Sequence, residues 1–334
     1  MSKKIIIIFV IILLIVLGLL EWFWMSQKKP VEKKVYKIGL LQMASTVNLN
    51  IEGFKAGMAE LGYIEGKNVE YTYLNAEGDT KLINLYAEDL LKIKPDLIFT
   101  NTSPATKAAK EVTRDTNIPV VFSMVADPVG AGFVESMKSS GNNLAGTSCA
   151  YIDIAPKRLE ILKEIDPRIK KVLVFYRPED KSGGPATTKI KETAPKIGVE
   201  IVAKPVESVD EIKQYLDRLE PGEVDALMDP ADSMVTSAID SLVAASLRLK
   251  IPLMMLSETE AKKGSFATYG VDYFDLGKQN APLADKILKG VVQPSQIPIE
   301  MPRKFMFVIN LATAKKIGLV IPSSILAKAN KIIE

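Results

Sequence analysis

The sequence contains no histidine and a single cysteine, Cys149, among its 334 residues. The absence of histidine excludes Ser-His-Asp and Cys-His catalysis and also excludes zinc sites that use histidine ligands. A single cysteine cannot form an internal disulfide. Cys149 lies in the stretch GTSCAY, among small and apolar residues, which is typical of a packed side chain rather than a nucleophile. Carboxylates remain as candidate acid–base groups, but none has a catalytic partner at a suitable spacing.

The chain also has little net charge, +3 in total, and that charge is unevenly distributed. Residues 1–34 contain six lysines and two glutamates, so the remainder of the chain carries a net charge of about −1. No basic patch of the kind that nucleic acid requires is present. The phosphate-binding patterns GxxxxGK(S/T) and GxGxxG are absent as well. These absences argue against a nucleic-acid-binding protein and against a nucleotide site.

One long apolar run is present, at residues 5–20, where sixteen consecutive residues are apolar. As a helix it would be about 24 Å long, and the aromatic-rich residues 22–25 extend it toward a membrane interface. A cleaved secretory signal needs small residues before its cleavage site, but no alanine precedes Ala44 and no cysteine is available for a lipid. We therefore predict that residues 1–34 form an uncleaved, single-pass transmembrane anchor.

From residue 35 onward, short apolar runs alternate with amphipathic segments in two successive blocks. The runs that predict strands are 35–41, 68–74, 95–100 and 118–125 in the first block, and 170–176, 199–206, 224–230 and 251–256 in the second. Non-alternating strands between helices indicate parallel sheets that are covered on both faces. The pattern predicts an α/β chain of two doubly wound parallel-sheet lobes, with a hinge and a ligand cleft beyond the carboxyl ends of the strands.

The loops at the predicted carboxyl ends of the strands are rich in hydroxyl groups, amides and glycine. In the first block these loops are 42–50, 101–106 and 125–132, and in the second block they are 176–184, 229–234 and 256–264. In the stretch TNTSPAT, Ser103 is predicted to be the N-cap of a helix and Pro104 its first residue. Open N–H groups at such a helix start attract an anion; the alternative interpretation is an ordinary capped helix.

Asp232 stands immediately before a predicted helix, so its simplest interpretation is a second N-cap. The functional alternative is a carboxylate that faces the cleft and pairs with a ligand ammonium group. Helix N–H groups on one wall and an acid on the other would suit a zwitterion such as an amino acid.

Four segments of the chain resemble one known family: ELGYIEGKNVEYTYLNAEGD (60–79), TSPATKAA (102–109), IPVVFSMVADPVGAG (118–132) and GVDYFDLGKQ (270–279). They are similar to ABC-transporter substrate-binding proteins related to tryptophan- and tyrosine-binding proteins, and residues 297–319 resemble that family's C-terminal signature. The resemblance implies a type I periplasmic-binding fold whose chain crosses between the lobes near 148–151, 264–269 and 298–303. The expected domains are therefore an anchor and linker at 1–34, lobe 1 at 35–148 plus 269–298, and lobe 2 at 149–268 plus 299–334.

The same resemblance implies roles for individual residues. Ser103 matches the residue that receives the ligand carboxylate, Asp127 the acid beside it, and Asp232 the acid of the second lobe, while Asp272 and Tyr273 match a stretch at the hinge. The loop that begins at Gln42 departs from the family pattern, which puts aromatic specificity in question. The complete set of expected ligand-binding residues is Gln42, Ser45, Thr102, Ser103, Thr106, Asp127, Tyr176, Asp232, Ser233, Asp272 and Tyr273.

These observations predict an extracytoplasmic solute-binding protein of an ABC import system, tethered to the cell membrane, that presents a small amino-acid-like ligand to a permease and its ATPase. The extracytoplasmic location of the family places the N-terminus of the anchor inside the cell. We expect no catalysis, cofactor, metal or nucleic-acid partner. A ligand-sensing ectodomain that signals through a membrane partner is the alternative. An enzyme that uses carboxylates is disfavoured, because no pair of residues suited to act as catalytic acid and base is evident.

Overall fold

The computed structural model describes residues 15–18 and 34–334. Residues 1–35 and 36–334 separate into two units, and both sheets belong to the second unit. Most of the predicted anchor, residues 1–14 and 19–33, lies outside the described residues. Among the residues that are described, no helix has the length and hydropathy required to cross a membrane.

Strands and helices alternate along the second unit. Its strands are β1 (Tyr36–Gln42), β2 (Val69–Asn75), β3 (Leu97–Asn101), β4 (Val120–Val125), β5 (Leu144–Ser148), β6 (Lys171–Tyr176), β7 (Glu200–Pro205), β8 (Ala226–Met228), β9 (Leu253–Met255), β10 (Ala267–Val271), β11 (Phe305–Asn310) and β12 (Lys331–Ile333). Its helices are α1 (Asn48–Glu60), α2 (Thr80–Lys92), α3 (Ser103–Thr113), α4 (Tyr151–Ile165), α5 (Gly183–Thr193), α6 (Val209–Arg218), α7 (Ser233–Ser237), α8 (Ile239–Leu249), α9 (Glu258–Lys262), α10 (Tyr273–Leu288), α11 (Leu311–Ile317) and α12 (Ser323–Leu326). Single 3₁₀ turns lie at Ser45–Val47, Ala194–Ile197 and Pro294–Gln296.

The strands form two separate sheets. The first has the order β2-β1-β3-β4-β5 and is parallel throughout. The second has the order β12-β11-β10-β9-β8-β6-β7 and is parallel except where β11 runs antiparallel to β10. The predicted α/β architecture of two parallel-sheet lobes is therefore confirmed, and the antiparallel strand is an addition that the sequence pattern did not indicate.

The first sheet is buried on both faces by helices. Every residue of β3, β4 and β5 is buried, as expected when non-alternating apolar strands are covered on both sides. One apolar cluster joins the sheet to α2 and α3, and another joins it to α1 and α10. Helix α10 therefore packs with the first sheet, although it follows β10 of the second sheet.

Two glycines allow α10 to lie directly against α1. A Cβ atom on Gly53 would lie 1.9 Å from the carbonyl oxygen of Phe274, and one on Gly277 would lie 1.9 Å from that of Asn50. Since real side chains cannot approach a backbone oxygen so closely, both positions require glycine. The Asn50 amide also donates to the carbonyl of Tyr273 at 3.1 Å, which fixes the first turn of α10 against α1.

The second connection between the sheets lies a few residues later than the sequence indicated. The expected lobe boundary between residues 268 and 269 falls inside β10, whose pairing with β11 continues to Val271. Only Asp272 separates the end of β10 from the start of α10, so the sequence offered no loop-like stretch to mark the crossing. In the third connection, the backbone N–H of Ser148 donates to the carbonyl of Glu300 at 2.9 Å, before β11 begins at Phe305.

Candidate functional site

Both sheets reverse their strand order at one point, and the polar loops gather there. In the first sheet β1 lies between β2 and β3, and in the second sheet β6 lies between β7 and β8. The strands that follow β1 and β6 in the chain are therefore placed on both sides of them. The loops at the carboxyl edge diverge there, which opens a crevice in each sheet. Ligands of doubly wound sheets bind at such switch points.

The two carboxyl edges approach each other. One buried apolar cluster contains Val47 and Met124 from loops and strand ends of the first sheet, and Ala231 and Leu256 from those of the second. Cys149, at the first connection between the sheets, belongs to the same cluster. Burial raises the pKa of its thiol to about 12, so this cysteine stays neutral and acts as a packed side chain, as predicted.

Backbone strain is concentrated at the same edges. Seven non-glycine residues in the described part of the chain have a positive φ, and five of them lie at the carboxyl ends of strands: Glu77, Thr102, Met124, Ala150 and Ala231. Such conformations are costly for residues with a Cβ atom and cluster at functional sites. Their positions agree with the crevice defined by the strand order.

Gln42, which was expected to touch the ligand, is fully buried and orients a neighbouring amide instead. Its side-chain nitrogen donates to the carbonyl of Ala44 at 2.8 Å and to the side-chain oxygen of Asn48. Its oxygen accepts from the Asn101 nitrogen at 3.0 Å. Because the Ala44 carbonyl can only accept, the orientation of both amides is determined. The buried oxygen of Asn101 therefore points away from Gln42, and no hydrogen bond reaches it within the described residues.

Thr102, not Ser103, is the N-cap of α3. Thr102 has φ +70° and ψ 158°, its side chain does not cap the helix, and Ser103 is the first helical residue. The prediction for Ser103 was wrong because the unusual conformation of Thr102 moves the helix start by one residue. The first N–H groups of this eleven-residue helix are left without a side-chain cap. The Thr102 hydroxyl is itself buried without a partner in the described chain, whereas Ser103 is half-buried.

Thr106 and Asp127 both have hydrogen-bond partners inside the protein. The Thr106 hydroxyl is buried, donates to the carbonyl of Thr102 at 2.9 Å and lies 2.9 Å from the Thr100 hydroxyl. The Asp127 carboxylate accepts from the N–H of Gly130 at 2.7 Å and shapes a turn. In the structure, Thr106 stabilises the first turn of α3, and Asp127 stabilises the loop after β4.

Ser45 belongs to a polar group that the sequence did not indicate. Its hydroxyl donates to the Glu77 carboxylate at 2.7 Å and accepts from the Asn75 amide at 2.8 Å. The Asn75 amide also donates to Glu77 at 2.7 Å. These three residues join the loops after β1 and β2 and lie on the exposed rim of the crevice. Ser45 therefore shapes the rim through hydrogen bonds inside the protein.

Asp232 has no carboxylate oxygen available to a ligand ammonium group. One oxygen accepts from the Arg177 backbone N–H at 2.8 Å, and the other accepts from the Arg177 Nε at 3.0 Å and from the N–H of Met234 at 2.9 Å. The side chain of Asp232 has no exposed surface. The N-cap interpretation of Asp232 is confirmed, whereas its expected contact with the ligand must be revised. Arg177 lies 55 residues away in sequence, so no local signal could have indicated the pair.

The other expected residues of the second lobe lie near this ion pair. The Ser233 hydroxyl accepts from Nη2 of Arg177 at 3.0 Å. Tyr176, at the end of β6, is half-buried, and the Lys191 ammonium lies over its ring, 5.4 Å from the ring centroid. The structure therefore brings Ser233 next to Arg177 and shows the Tyr176 ring in contact with α5.

Two expected residues lie at the hinge. The Asp272 carboxylate accepts from the N–H of Asp275 at 3.0 Å and caps α10. The hydroxyl groups of Tyr273 and Tyr151 lie 2.9 Å apart across the two connections. Burial raises the pKa of both phenols, so both remain neutral hydrogen-bonding groups at physiological pH. Asp272 and Tyr273 thus hold the connections between the sheets.

Asp229 and Arg158 are buried ionisable residues that sequence reasoning missed. Asp229 accepts from the N–H of Ala231 at 2.7 Å and from the Thr236 hydroxyl at 2.6 Å. Burial raises the pKa of Asp229 to about 7 despite these hydrogen bonds. The Arg158 side chain is fully buried, with long 3.4 Å contacts to the carbonyls of Tyr269 and Tyr151, and burial lowers its pKa to about 10. The described residues contain no cluster of three or more acidic or cysteine side chains able to hold a metal ion.

Comparison with known proteins identifies relatives over almost the whole second unit. The family model described as ABC transporter substrate binding protein matches residues 37–333. A tyrosine-binding protein of Clostridioides difficile (strain R20291) is 30% identical over 296 residues, which cover 88% of this chain and 84% of the relative.

Solved structures give the same result. An ABC domain from Streptococcus pneumonia in complex with L-Trp has a TM-score of 0.79 at 27% identity, and the match covers 90% of this chain and all of that one. The ligand-free, open structure of a substrate-binding protein with adhesive properties from Clostridium difficile has a TM-score of 0.73 at 28% identity, over 90% of this chain and 99% of that one.

The raised pKa of Asp229 predicts a pH-dependent stability. Folding favours the protonated acid, so the contribution of Asp229 is fully present below about pH 4 and is lost as the pH rises through about 7. Because the chain has no histidine, few other groups titrate between pH 5 and 8. We expect the free energy of unfolding to fall over that interval by up to about 2.5 kcal/mol, and Asp229→Asn to remove most of the fall.

Asp166→Asn is the matched control for this measurement. The hydrogen bond from Arg168 lowers the pKa of Asp166, so its contribution disappears only in more acidic solution. Denaturant unfolding at pH 5 and pH 8 should show the wild-type difference in Asp166→Asn but not in Asp229→Asn. An equal pH dependence in wild type and Asp229→Asn would contradict the assignment.

Proposed function

The chain belongs to the family of ABC transporter substrate-binding proteins, as its sequence indicated, and from this premise we propose that it captures an amino acid between its lobes and delivers it to an ABC permease. The similar proteins named above that bind tyrosine and L-Trp support an amino-acid ligand. The binding step involves no covalent chemistry. Ligand binding shifts an equilibrium toward the form in which the two lobes contact the ligand together.

The observation that carries this proposal is the set of unpaired polar groups around Asn101 and Thr102. The Asn101 oxygen is an acceptor and is suited to a ligand ammonium group. The uncapped N–H groups of α3, with the hydroxyls of Thr102 and Ser103, are donors suited to a carboxylate. An acceptor and several donors on one loop match the two charged groups of an amino acid, without a contribution from Asp232.

The remaining expected residues take indirect roles in this proposal. Gln42 orients Asn101, Thr106 and Asp127 hold their loops, and Asp232 holds Arg177. We propose lobe assignments that follow the sheets: the first sheet with α10 forms lobe 1, and the second sheet with α4 forms lobe 2. The segments that connect them form the hinge.

We also propose that the binding unit is extracytoplasmic and that residues 1–34 tether it to the membrane. The apolar run at 5–20 and the absence of nearby alanine and cysteine support this. The full chain extracted from membranes with detergent should therefore have an intact mass that includes residues 1–34. A mature N-terminus beyond residue 18 would contradict the tether and leave the amino-acid site unaffected.

Amino-acid binding is tested by a thermal-shift screen of the full chain. A ligand that binds only the folded state raises the melting temperature in proportion to the logarithm of its concentration. We expect at least one amino acid to do so, and sugars and nucleosides to have no effect. Stabilisation by sugars or nucleosides alone would contradict the proposed ligand class.

The role of the unpaired groups is tested by substitutions in the loop, with a matched substitution at Thr106 as the control. Thr102→Val removes a buried hydroxyl that has no partner, so unliganded stability should be unchanged or higher by about 1 kcal/mol, while affinity falls about tenfold. Ser103→Ala should lower affinity in the same way. Unfolding curves and calorimetric titrations of the same preparations separate the two effects.

Thr106→Val is the matched control. Its hydroxyl is fully hydrogen-bonded inside the loop, so its loss should destabilise the protein by about 1–2 kcal/mol and leave affinity nearly unchanged. If Thr102→Val instead lowers stability and leaves affinity intact, the loop does not receive the ligand.

A further inference from the structure

Arg177 directly follows β6, the strand at the switch point of the second sheet. Three groups hold its guanidinium in place. Nε donates to Asp232 at 3.0 Å, and Nη2 donates to Asp180 at 2.8 Å and to the Ser233 hydroxyl at 3.0 Å. The guanidinium is therefore oriented by the loops after β6 and β8 before any ligand arrives.

These contacts leave part of the donor capacity of Arg177 unused. A guanidinium has five N–H donors, and the contacts above employ Nε and both hydrogens of Nη2. Nη1 makes no hydrogen bond within the described residues, and the side chain is 23% exposed. Two donors of an oriented guanidinium are therefore unused at a half-buried position, where a hydrogen bond to a ligand would be strong.

The charges around Arg177 determine which acceptor suits it. Asp180 and Asp232 outnumber the single guanidinium, so the three side chains together carry a net charge of −1. Asp180 also caps the start of α5 through the N–H groups of Ser182 and Gly183, which offsets part of that charge. Arg177, Asp180 and Asp232 together present directed donors without an excess of positive charge. This favours an uncharged oxygen in the ligand side chain over a side-chain carboxylate.

We propose that Arg177 reads the side chain of the ligand, and that this side chain carries an uncharged oxygen acceptor such as a phenol or an amide. The inference rests on the proposed function, because it assumes that the ligand's ammonium and carboxylate groups occupy the loop of the first lobe. Asp232, Asp180 and Ser233 are then positioning residues that act through Arg177. A site built to donate to a side-chain oxygen discriminates strongly against analogues that lack the oxygen.

The experiment compares ligand pairs that differ mainly in that oxygen, using the full chain in detergent. Calorimetric titrations use two neutral pairs, tyrosine with phenylalanine and glutamine with methionine, and measure the discrimination within each pair directly. Glutamate is titrated as the ligand with a charged side chain. We expect wild type to favour the oxygen-bearing member of at least one neutral pair by tenfold or more, with glutamate weaker than that ligand. Arg177→Lys keeps a cation beside Asp232 but loses the fork of donors, so discrimination should fall below threefold.

Arg168→Lys is the matched control. Arg168 also pairs with an aspartate, Asp166, but it lies before β6, at the opposite edge of the sheet, with its side chain 82% exposed. This variant should retain the wild-type discrimination. If Arg177→Lys does not fold, the double variant Arg177→Gln, Asp232→Asn removes both buried charges together and should show the same loss of discrimination.

The outcomes separate this inference from the proposed function. Equal or tighter binding of phenylalanine and methionine by wild type overturns the role of Arg177 and leaves amino-acid binding intact. Unchanged discrimination in the folded Arg177 variant does the same. If glutamate binds most tightly, the inference that the ligand side chain is uncharged is wrong. Failure of every amino acid to bind overturns this inference and the proposed function together.

Discussion

The reversal of strand order in each sheet is the constraint on which the candidate site depends. Because β1 lies between β2 and β3, and β6 between β7 and β8, the following loops diverge and leave a crevice at each carboxyl edge. The three connections between the sheets bring those edges together, as the shared cluster around Val47 and Ala231 shows. Every polar group considered for the ligand comes from loops that this topology places at the edges.

The two walls of the crevice differ in how their polar groups are satisfied. On the first wall the Asn101 oxygen and the Thr102 hydroxyl are buried without partners in the described chain. Each such group costs about 1–3 kcal/mol relative to a paired one, which a ligand can recover. On the second wall Asp232 is buried against Arg177, and breaking that pair would leave an uncompensated charge. The first wall is therefore suited to receive the charged groups of a ligand, while the second presents a fixed guanidinium.

Much of the fold could be predicted from the sequence, because short buried strands and amphipathic helices leave strong local patterns. Both parallel sheets follow from such patterns, whereas the family was indicated by the resemblance of segments such as 102–109 and 118–132. The end of β10 could not be placed, since Asp272 alone separates it from α10. In the same way, Cys149 and the N-cap role of Asp232 depend on local sequence and were interpreted correctly.

The site was harder to predict, because its geometry depends on contacts between distant residues. The start of α3 depends on the positive φ of Thr102, which no residue type at that position indicates. Gln42 and Asn101 are 59 residues apart, and Arg177 and Asp232 are 55 apart. The sequence pointed to the loops at the carboxyl ends of the strands, and the residues predicted there include Gln42 and Asp232, whose polar groups are already bonded within the protein. Asn101 and Arg177 lie in loops that the sequence had indicated. They differ from Gln42 and Asp232 in having hydrogen-bonding groups without partners in the described chain.

A crystal structure of the protein with the amino acid that stabilises it most tests the central claim directly. The account predicts that the ligand carboxylate lies within about 3 Å of the N–H groups at the start of α3, that its ammonium group contacts the Asn101 oxygen, and that Arg177 remains paired with Asp232. A ligand ammonium group bound to Asp232 with Arg177 displaced, or a ligand outside the crevice between the sheets, would contradict it.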